Sequence, residues 1–345
     1  MSEHVKIAEF EVDSAIIPAS VYHDGRTEMP HRVTTSGLAL SYGAFREVAQ
    51  FIKMFSRDAM PDGNTAQHYF RLDAFFDPRS ETLQLLEVNA RFVDGWGIAL
   101  NLSRAAGHTL MQHKDDIDVD FPCIWQLEDE RYRGEFELAI KEINLMNRYR
   151  EHRSNCVENG PDYQRNLTEI YWYGYHAPRA LKRVRMVAPR DGELLDNKMT
   201  LANFAAKWKG SVLQIPTFHS HEVCAWGQLP EKVIFKFINK LGPEARRAHA
   251  SVLYRDQIGS GRFAKRCYEN GSLIAQDLVE GMEVCAGGES VLQAVILAVD
   301  DGPLTGYTLG APKGTRIVND SFTHGPLVIN LPQKASRYYG GGGHD

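Results

Sequence analysis

The stretch that most constrains this chain runs from His68 to Arg91, HYFRLDAFFDPRSETLQLLEVNAR. Apolar side chains occupy every second position of its first half, at Phe70, Leu72, Ala74 and Phe76. This alternation predicts a β-strand, and the residues at 77–80 break it before 83–89 resume an apolar pattern. The stretch therefore predicts a β-hairpin, around which the chain must build a sheet.

Four polar side chains share the other face of the predicted hairpin: Arg71, Asp73, Glu87 and Asn89. A five-residue loop over 78–82, closed by Asp77 and Leu83, sets the aspartate opposite the glutamate and the arginine opposite the asparagine. Like charges directly opposite each other destabilise a sheet, so two facing carboxylates predict a bound cation. Asp, Glu and Asn offer oxygen ligands, which suit a hard ion such as Mg²⁺. An ordinary solvated face with an Arg–Asp pair is the alternative.

Composition bounds the class of protein. The 345 residues, 43% hydrophobic and 24% charged, suffice for one large or two ordinary globular domains. The net charge of −5, without a dominant Lys/Arg tract, argues against nucleic acid as a partner. There is no long apolar run and the N-terminus is charged, so we expect no membrane span and a cytoplasmic protein. Five scattered cysteines fit a reducing compartment: Cys123, Cys156, Cys224, Cys267 and Cys285.

Helices are predicted where apolar residues recur at helical spacing. One follows Ser41, with its stripe at Phe45, Val48, Ile52 and Phe55. A second follows a glycine-rich loop within 94–107, and a third is predicted over 136–153. The last two cover one face of a sheet or, as the alternative, form an independent helical module.

From Thr168 the chain changes to apolar segments rich in β-branched residues, which predict strands. They lie within 167–175, 183–188, 211–217, 232–238, 272–279 and 290–299, with late strands within 303–331. A helix over 201–208 and a glycine- and charge-rich loop over 239–269 interrupt them. We therefore expect a mixed α/β chain. It divides into an N-terminal region over residues 1–165 that carries the hairpin, a C-terminal region over residues 166–335 and a disordered tail over residues 336–345.

Two lysines in the C-terminal region have informative surroundings. Lys198 precedes an apolar stripe at 201, 204, 205 and 208, so it begins a helix, where its charge adds to the helix dipole and suits an anion. A surface lysine is the alternative. Lys236 lies inside the apolar segment KVIFKFI, and a buried lysine needs a phosphate or carboxylate partner. Residues 276–280 close the segment SLIAQDLVEG, an edge whose backbone groups suit a flat base.

The segments RLDAFF, LLEVNAR, DNKMTLANF, VIFKFI and SLIAQDLVEG together resemble the motifs of the circularly permuted ATP-grasp ligases, of which the synthetase domain of glutathionylspermidine synthetase is the best-known type. In ordinary ATP-grasp proteins the lysine strands precede the carboxylate–asparagine motif. Here that order is reversed. The resemblance extends from about Gln67 to Leu331 through short motifs.

The resemblance implies an α/β, ATP-grasp-like fold and a set of functional residues. Asp73, Glu87 and Asn89 would bind Mg²⁺, while Lys198 and Lys236 would hold the phosphates of ATP. Arg71 would stabilise an acyl-phosphate and the tetrahedral intermediate that follows it. The adenine hinge would comprise Gln276, Asp277, Leu278 and Val279, with Arg316 as a further phosphate or substrate contact. The substrates would be a small-molecule or peptide carboxylate and an amine, read by residues such as Asp94, Arg165, His176 and Arg179.

Two other functions stay open. The strand of Lys236 continues as FINKLGPEARRAHAS instead of KP and a glycine-rich loop, although Gly259 and Gly261 follow later in IGSGRF. This departure favours a nucleotide-binding protein of the same fold without catalysis. The other alternative is a metal-dependent oxygenase or hydrolase that uses His219, His221 and Glu222, because two histidines on one face of a strand ligate transition metals.

Overall fold

A computed structural model describes the polypeptide over residues 4–24, 27–59, 69–90, 93–107, 124–127, 130–146, 155–157, 169–173, 185–187, 192–240, 242–248, 252–255, 261–280, 283–285, 289–299, 302–312 and 323–330. The predictions for Arg165, His176, Arg179, Gly259, Arg316 and the tail at 336–345 lie outside these residues.

Strands and helices alternate along the described chain, so the predicted mixed α/β character is confirmed. The strands are β1 Val5–Glu9, β2 Ser20–Asp24, β3 Thr27–Pro30, β4 Ser36–Ser41, β5 Tyr69–Asp77, β6 Thr82–Asn89, β7 Ile124–Leu127, β8 Asn155–Val157, β9 Glu169–Tyr173, β10 Arg185–Val187, β11 Leu213–Gln214, β12 Phe218–His219, β13 Val233–Phe237, β14 Val252–Tyr254, β15 Leu273–Asp277, β16 Glu283–Cys285, β17 Glu289–Val299, β18 Gly302–Pro312 and β19 Thr323–Asn330. The α-helices are α1 Tyr42–Ala59, α2 Trp96–Ala105, α3 Arg133–Met146, α4 Gly192–Asp196, α5 Lys198–Ala205, α6 Pro243–Ala248 and α7 Arg262–Glu269. Short 3-10 helices occupy Ser14–Ile16, Glu130–Tyr132 and Trp226–Gln228.

One large sheet runs in the order β1-β4-β19-β18-β17-β5-β6-β11, with β16 also paired to β17. The pairs β19–β4 and β11–β6 are parallel, whereas β17 pairs antiparallel with both β18 and β5. Strands from both ends of the chain therefore meet in this sheet. A separate parallel sheet, β10-β9-β7-β8, and a hairpin, β2-β3, complete the strands outside the site.

Apolar layers cover both faces of the large sheet, because alternate residues of a strand point in opposite directions. Ile296 of β17 packs with Phe51 of α1 and Phe204 of α5 on one face. Leu297, one residue later, packs with Trp96 of α2 and Phe136 of α3 on the other. The helices α2 and α3 thus cover a sheet, as predicted, and the alternative of an independent helical module is wrong.

The hairpin β5–β6 has the predicted polar pairs but a different turn. Asp73 lies opposite Glu87 and Arg71 opposite Asn89. The closing pair is Asp77 with Thr82 instead of Leu83, so the loop has four residues, and its last residue, Glu81, has a φ of 54°. A β-bulge next to Asp73 then adds one residue on β6, and this shift restores the predicted register.

The small sheet has the order β12-β15-β13-β14, and its described pairs are antiparallel. One face packs Phe235 and Ala275 against Tyr268 of α7. The other face carries Lys236 and Gln276, because Lys236 pairs with Ile274 and Ile234 pairs with Gln276. This polar face is turned toward the bulge of the hairpin, where Lys236 donates to the carbonyl of Leu86.

Several boundaries differ from the predictions. The predicted loop over 239–269 contains α6, β14 and α7 instead, because single small or aromatic residues such as Ala264 and Tyr268 bury one side of helices that are otherwise charged. The strand predicted within 211–217 shortens to β11, and the helix predicted over 201–208 is α5, shifted toward the N-terminus. Within the described residues, no helix has the length and apolar character needed to cross a bilayer.

Candidate functional site

The carboxylate side of the site lies on the large sheet, where β5, β6 and β17 run side by side. The side-chain amide of Asn89 donates to Asp73 Oδ2 at 2.7 Å and to Glu87 Oε1 at 2.9 Å. Gln293 of β17 donates to the other oxygen of Asp73, Oδ1, at 3.2 Å. The buried amides therefore hold two facing carboxylates in place, and the predicted grouping of Asp73, Glu87 and Asn89 exists in the structure.

The cationic side comes from three lysines that surround Glu87. Lys198 Nζ lies 3.3 Å from Glu87 Oε2, and Lys236 Nζ lies 4.0 Å from the same oxygen. Lys240 Nζ lies 3.9 Å from Oε1. One carboxylate thus faces three ammonium groups, of which Lys198 and Lys240 also lie 3.9 and 3.5 Å from Asp196 Oδ1.

Lys198 is the first residue of α5, as the sequence predicted. The helix is capped by Asn197, whose side chain accepts a hydrogen bond from the Met199 amide. Lys198 is only 2% exposed, so the alternative of a surface lysine is wrong. Its ammonium donates to the Val88 carbonyl at 3.2 Å, which turns the side chain toward β6 instead of solvent.

The bulge of β6 connects the two sheets. The Leu86 carbonyl accepts from Lys236 Nζ at 2.6 Å and from Gln276 Nε2 at 3.4 Å. Buried Lys236 thus has the predicted carboxylate neighbour in Glu87, together with a backbone acceptor. The other side-chain atom of Gln276, Oε1, is buried and accepts no hydrogen bond from the described residues. A buried acceptor without a donor is the kind of group that a ligand satisfies.

Arg71 is held between two aspartates. Its Nη1 lies 2.6 Å from Asp94 Oδ1 and its Nη2 lies 3.3 Å from Asp73 Oδ2. Asp94 stands at the entry of α2, just before Gly95, whose φ of 93° brings the chain past the ring of Tyr307. A Cβ at position 95 would lie 2.7 Å from that ring, so only glycine fits this close approach. Asp94 therefore orients Arg71, although the sequence suggested a substrate contact.

Burial and charge shift the pKa values in opposite directions. Burial raises the pKa of Glu87, but Lys198, Lys240 and Lys236 outweigh it and hold that pKa well below its usual range. Burial, with Glu87 and Asp94 nearby, raises the pKa of Asp73 despite Arg71. Burial lowers the pKa of Lys236 to about 8, against the attraction of Glu87. The site therefore combines a glutamate whose pKa is held low with a lysine whose pKa is lowered to about 8.

The structure brings in three residues that the sequence analysis missed. Lys240 donates a hydrogen bond to Asn89 Oδ1 and lies 3.5 Å from Asp196 Oδ1, and Gln293 donates to Asp73. Lys240 and Asp196 lie near the ends of β13 and α4, where no periodicity marks them. Lys240 follows Lys236 by four residues, and this lysine pair was the one available signal.

The predicted adenine hinge is placed beside the site, but part of its backbone is already bonded. The Asp277 amide donates to Thr217 O at 2.9 Å and the Leu278 amide donates to Lys232 O at 3.0 Å. Val279 packs against the small apolar cluster that contains Phe75. Arg316 lies outside the described residues. Gln276 is thus the hinge residue that offers an unsatisfied group.

The alternative of a metal site built on His219 and His221 requires both residues to lie on one strand, and the strand ends at His219. The strand β12 ends at His219, whose Nε2 lies 2.8 Å from Asp277 Oδ1. His221 falls in the following turn, where its ring lies edge-on to Tyr268. The expectation that both histidines share one strand face is therefore wrong. Among the described residues, no three His, Cys, Asp or Glu side chains group as a metal site.

The oxygen donors of the hairpin have the chemistry that a hard divalent cation requires. Asp73, Glu87 and Asn89 are close enough for one amide to contact both carboxylates. Oxygen ligands from carboxylates and an amide are those that Mg²⁺ binds. The residues therefore fit Mg²⁺ by donor type and proximity, with the Lys240 ammonium in contact with two of the three.

Comparison with known proteins adds evidence on the fold. No protein-family model matches the sequence, and no curated protein matches it either. The structure is similar to that of a glutathione synthetase-like effector from Globodera pallida in its apo form, with a TM-score of 0.53, 9% identity and coverage of 90% of this chain and 93% of that one. A putative γ-glutamylcysteine synthetase from Methylobacillus flagellatus matches with a TM-score of 0.40 at 11% identity, over 85% of each chain. At these identities the first likeness concerns the fold alone.

Proposed function

We propose that this protein is an ATP-dependent carboxylate–amine ligase of the ATP-grasp type, with the permuted order of motifs. The observation that carries the proposal is the convergence on Glu87 of oxygen donors from the large sheet and ammonium groups from α5 and β13. The likeness to a glutathione synthetase-like effector supports the fold that this proposal assumes.

The chemistry explains why such a site gathers positive charge. An amine does not displace oxide from a carboxylate, so a carboxylate oxygen first attacks the γ-phosphorus of ATP and ADP leaves. The amine then attacks the acyl-phosphate carbon, the carbon–oxygen bond to phosphate breaks, and phosphate departs as the nitrogen loses a proton. Both steps shift negative charge among phosphate oxygens, which fixed cations stabilise. No protein nucleophile is required.

Each side chain has a role in this proposal. Lys198 and Lys236 would hold the ATP phosphates, since their ammonium groups already lie on the same side of Glu87. Arg71, oriented by Asp94, would stabilise the acyl-phosphate and the tetrahedral intermediate. Gln276 would receive a donor from the base at its free Oε1. Mg²⁺ held by Asp73, Glu87 and Asn89 would neutralise charge on the transferred phosphoryl group.

Nucleotide binding is the first test. We expect ADP or ATP with Mg²⁺ to raise the melting temperature of the purified protein, because a ligand that binds only the folded state stabilises it by mass action. Lys236→Met should reduce the shift strongly, whereas Lys207→Met, which removes an equal charge from an exposed pair with Asp58, should not. No shift with millimolar nucleotide in the wild-type protein would refute the proposed site.

Turnover is the second test. ADP release in the presence of pooled carboxylates and amines supports a ligase, and Arg71→Lys should lower that rate while retaining nucleotide binding, because one ammonium replaces a forked guanidinium. Nucleotide binding without ADP release from any substrate pool supports the non-catalytic nucleotide-binding alternative instead.

A further inference from the structure

Lys240 lies at the point where two of the proposed metal ligands meet. Its ammonium donates a hydrogen bond to Asn89 Oδ1 and lies 3.9 Å from Glu87 Oε1. A third oxygen, Asp196 Oδ1, lies 3.5 Å away. One amide oxygen and two carboxylate oxygens therefore surround a single positive charge. These are the donors that a hard divalent cation would use.

The same contacts leave little capacity for a metal ion in this arrangement. The Asn89 amide nitrogen already donates to both Asp73 and Glu87, and its oxygen is taken by Lys240. A cation that bound these oxygens would also lie close to an ammonium group, and like charges at such a distance repel strongly in a buried site. Metal and lysine therefore exclude each other.

We propose that Lys240 is a resident cation that competes with divalent metal for Asn89 and Glu87 and leaves them when metal binds. The proposal rests on the proposed function, since it concerns the metal site of the same reaction. It makes metal binding weak in the absence of nucleotide, because the lysine must first be displaced. A bound polyphosphate favours displacement by attracting the ammonium, so metal and nucleotide bind cooperatively.

The contacts of Lys240 distinguish it from its two neighbours. Lys240 donates to Asn89 Oδ1 and lies near Glu87 Oε1, the glutamate oxygen that the Asn89 amide also contacts. Lys198 and Lys236 lie near the other oxygen, Oε2, and donate to the carbonyls of Val88 and Leu86. Among the described contacts of the three lysines, it is thus Lys240 that is placed among the proposed ligand oxygens.

The experiment measures binding of Mn²⁺ alone, without nucleotide, by electron paramagnetic resonance and calorimetry. We expect Lys240→Met to bind Mn²⁺ at least tenfold more tightly than the wild-type protein. The matched control is Lys207→Met, which deletes the same charge from a lysine whose side chain is 60% exposed and pairs with Asp58. That control should bind Mn²⁺ as the wild-type protein does.

Two further variants keep the proposal open to refutation if Lys240→Met folds poorly. Lys240→Gln removes the charge but can still donate a hydrogen bond to Asn89, and it should also bind Mn²⁺ more tightly. Lys240→Arg retains the charge and should resemble the wild-type protein. Equal Mn²⁺ affinity in the wild-type protein and in a folded, uncharged variant would overturn the proposal, as would no Mn²⁺ binding in either.

Failure of this inference can be told apart from failure of the proposed function. If the wild-type protein binds nucleotide with Mg²⁺ but the uncharged variants gain no Mn²⁺ affinity, the competition is refuted and the nucleotide site remains. If the variants gain Mn²⁺ affinity but no protein binds nucleotide, the competition is supported and the ligase proposal falls.

Discussion

Two glutamates in this protein, the buried Glu142 and the partly buried Glu87, differ in their cationic neighbours. Glu142 of α3 accepts from Arg104 at 2.6 and 2.8 Å and from the Asn101 amide at 2.8 Å, so both of its oxygens are satisfied by close, directed bonds. Glu87 faces three ammonium groups at 3.3 to 4.0 Å. The Glu142 carboxylate is balanced by one arginine, whereas three ammonium groups share the carboxylates of Glu87 and Asp196.

The difference separates a structural ion pair from a candidate binding site. Around Glu142 the hydrogen bond to Arg104 raises the pKa of the arginine, and nothing in the geometry calls for another anion. Around Glu87 burial instead lowers the pKa values of Lys198 and Lys236, because the charged form of each lysine loses hydration. A bound polyphosphate would stabilise these charges by adding negative charge beside them.

The largest expected effect comes from removing the Glu87 carboxylate. Glu87→Gln should lower the free energy of unfolding by about 3 kcal/mol, since it deprives the buried Lys198 and Lys236 of their shared carboxylate. Glu142→Gln should cost less, because its partner Arg104 is 38% exposed and water screens the pair. Tripolyphosphate should restore stability to Glu87→Gln, because it neutralises the three lysines, and should leave Glu142→Gln unchanged. Urea unfolding with and without the polyanion measures both; the same response in the two variants would contradict the distinction between the two glutamates.

The rings of His31 and His324 form a close contact, with centroids 5.0 Å apart. Burial lowers the pKa of His31 to about 4 and that of His324 to about 3, in the latter case with help from His31. The folded pKa values lie below the unfolded value of about 6.5, so the unfolded state takes up protons first and stability falls as pH drops below 6.5. The loss approaches about 2.7 kcal/mol per pH unit, from two protons at about 1.36 kcal/mol each.

The test of this acid sensitivity is the pH dependence of unfolding between pH 6.5 and 4.5. His324→Gln should reduce the slope by up to about 1.4 kcal/mol per pH unit, because one of the two protons no longer contributes. His4→Gln, which removes a histidine outside the pair, is the matched control. An unchanged slope in His324→Gln would show that the pair is not responsible.

A smaller effect is expected for Lys236, whose folded pKa of about 8 lies below its unfolded value. Between about pH 8 and 10 the unfolded state keeps a proton that the folded state has released, so this group adds stability as pH rises, by up to about 1.4 kcal/mol per unit. Lys236→Met should lose that contribution. Phosphate-dependent stabilisation should weaken in the wild-type protein above pH 8, since the ammonium becomes neutral; constant stabilisation up to pH 10 would argue against Lys236 as a phosphate ligand.

The smallest effect is expected at the surface. Lys207 lies 2.7 Å from Asp58, closer than any lysine lies to Glu87, but the two side chains are 60% and 34% exposed. Water screens such a pair, so Lys207→Ala should change the free energy of unfolding by about 0.5 kcal/mol or less. Chemical denaturation measures it. A loss above about 1.5 kcal/mol would mean that distance matters more than burial in this protein.

Much of the site could be read from local sequence pattern. Alternation along β5 and β6 predicted which side chains share a face, and the pairs Asp73–Glu87 and Arg71–Asn89 are observed. The turn was predicted one residue too long. The β-bulge escaped prediction because no local residue requires it, and its carbonyl at Leu86 is bonded to Lys236 and Gln276, which lie 150 and 190 residues later.

The residues that were missed lie outside regular pattern. Asp196 is the last residue of the short helix α4 and Lys240 lies three residues after β13, where no apolar stripe or alternation identifies a direction for the side chain. Burial could not be inferred for them either, because their neighbours include polar residues and glycine. The helices α6 and α7 lie where the sequence predicts a loop. Charged residues make up half of each segment, so neither shows a clear apolar stripe.

By itself the sequence determined the periods of β5, β6 and α1, and with them the polar face of the hairpin, as well as the apolar strand around Lys236. Those features depend on residues a few positions apart, where backbone geometry dictates direction. Only the tertiary structure decided that the small sheet lies over the bulge, that three lysines meet one glutamate and that Lys240 occupies the oxygen cluster. These contacts join segments that are far apart in the sequence. They form because both sheets pack and bury their apolar faces, and no local sequence pattern encodes that packing.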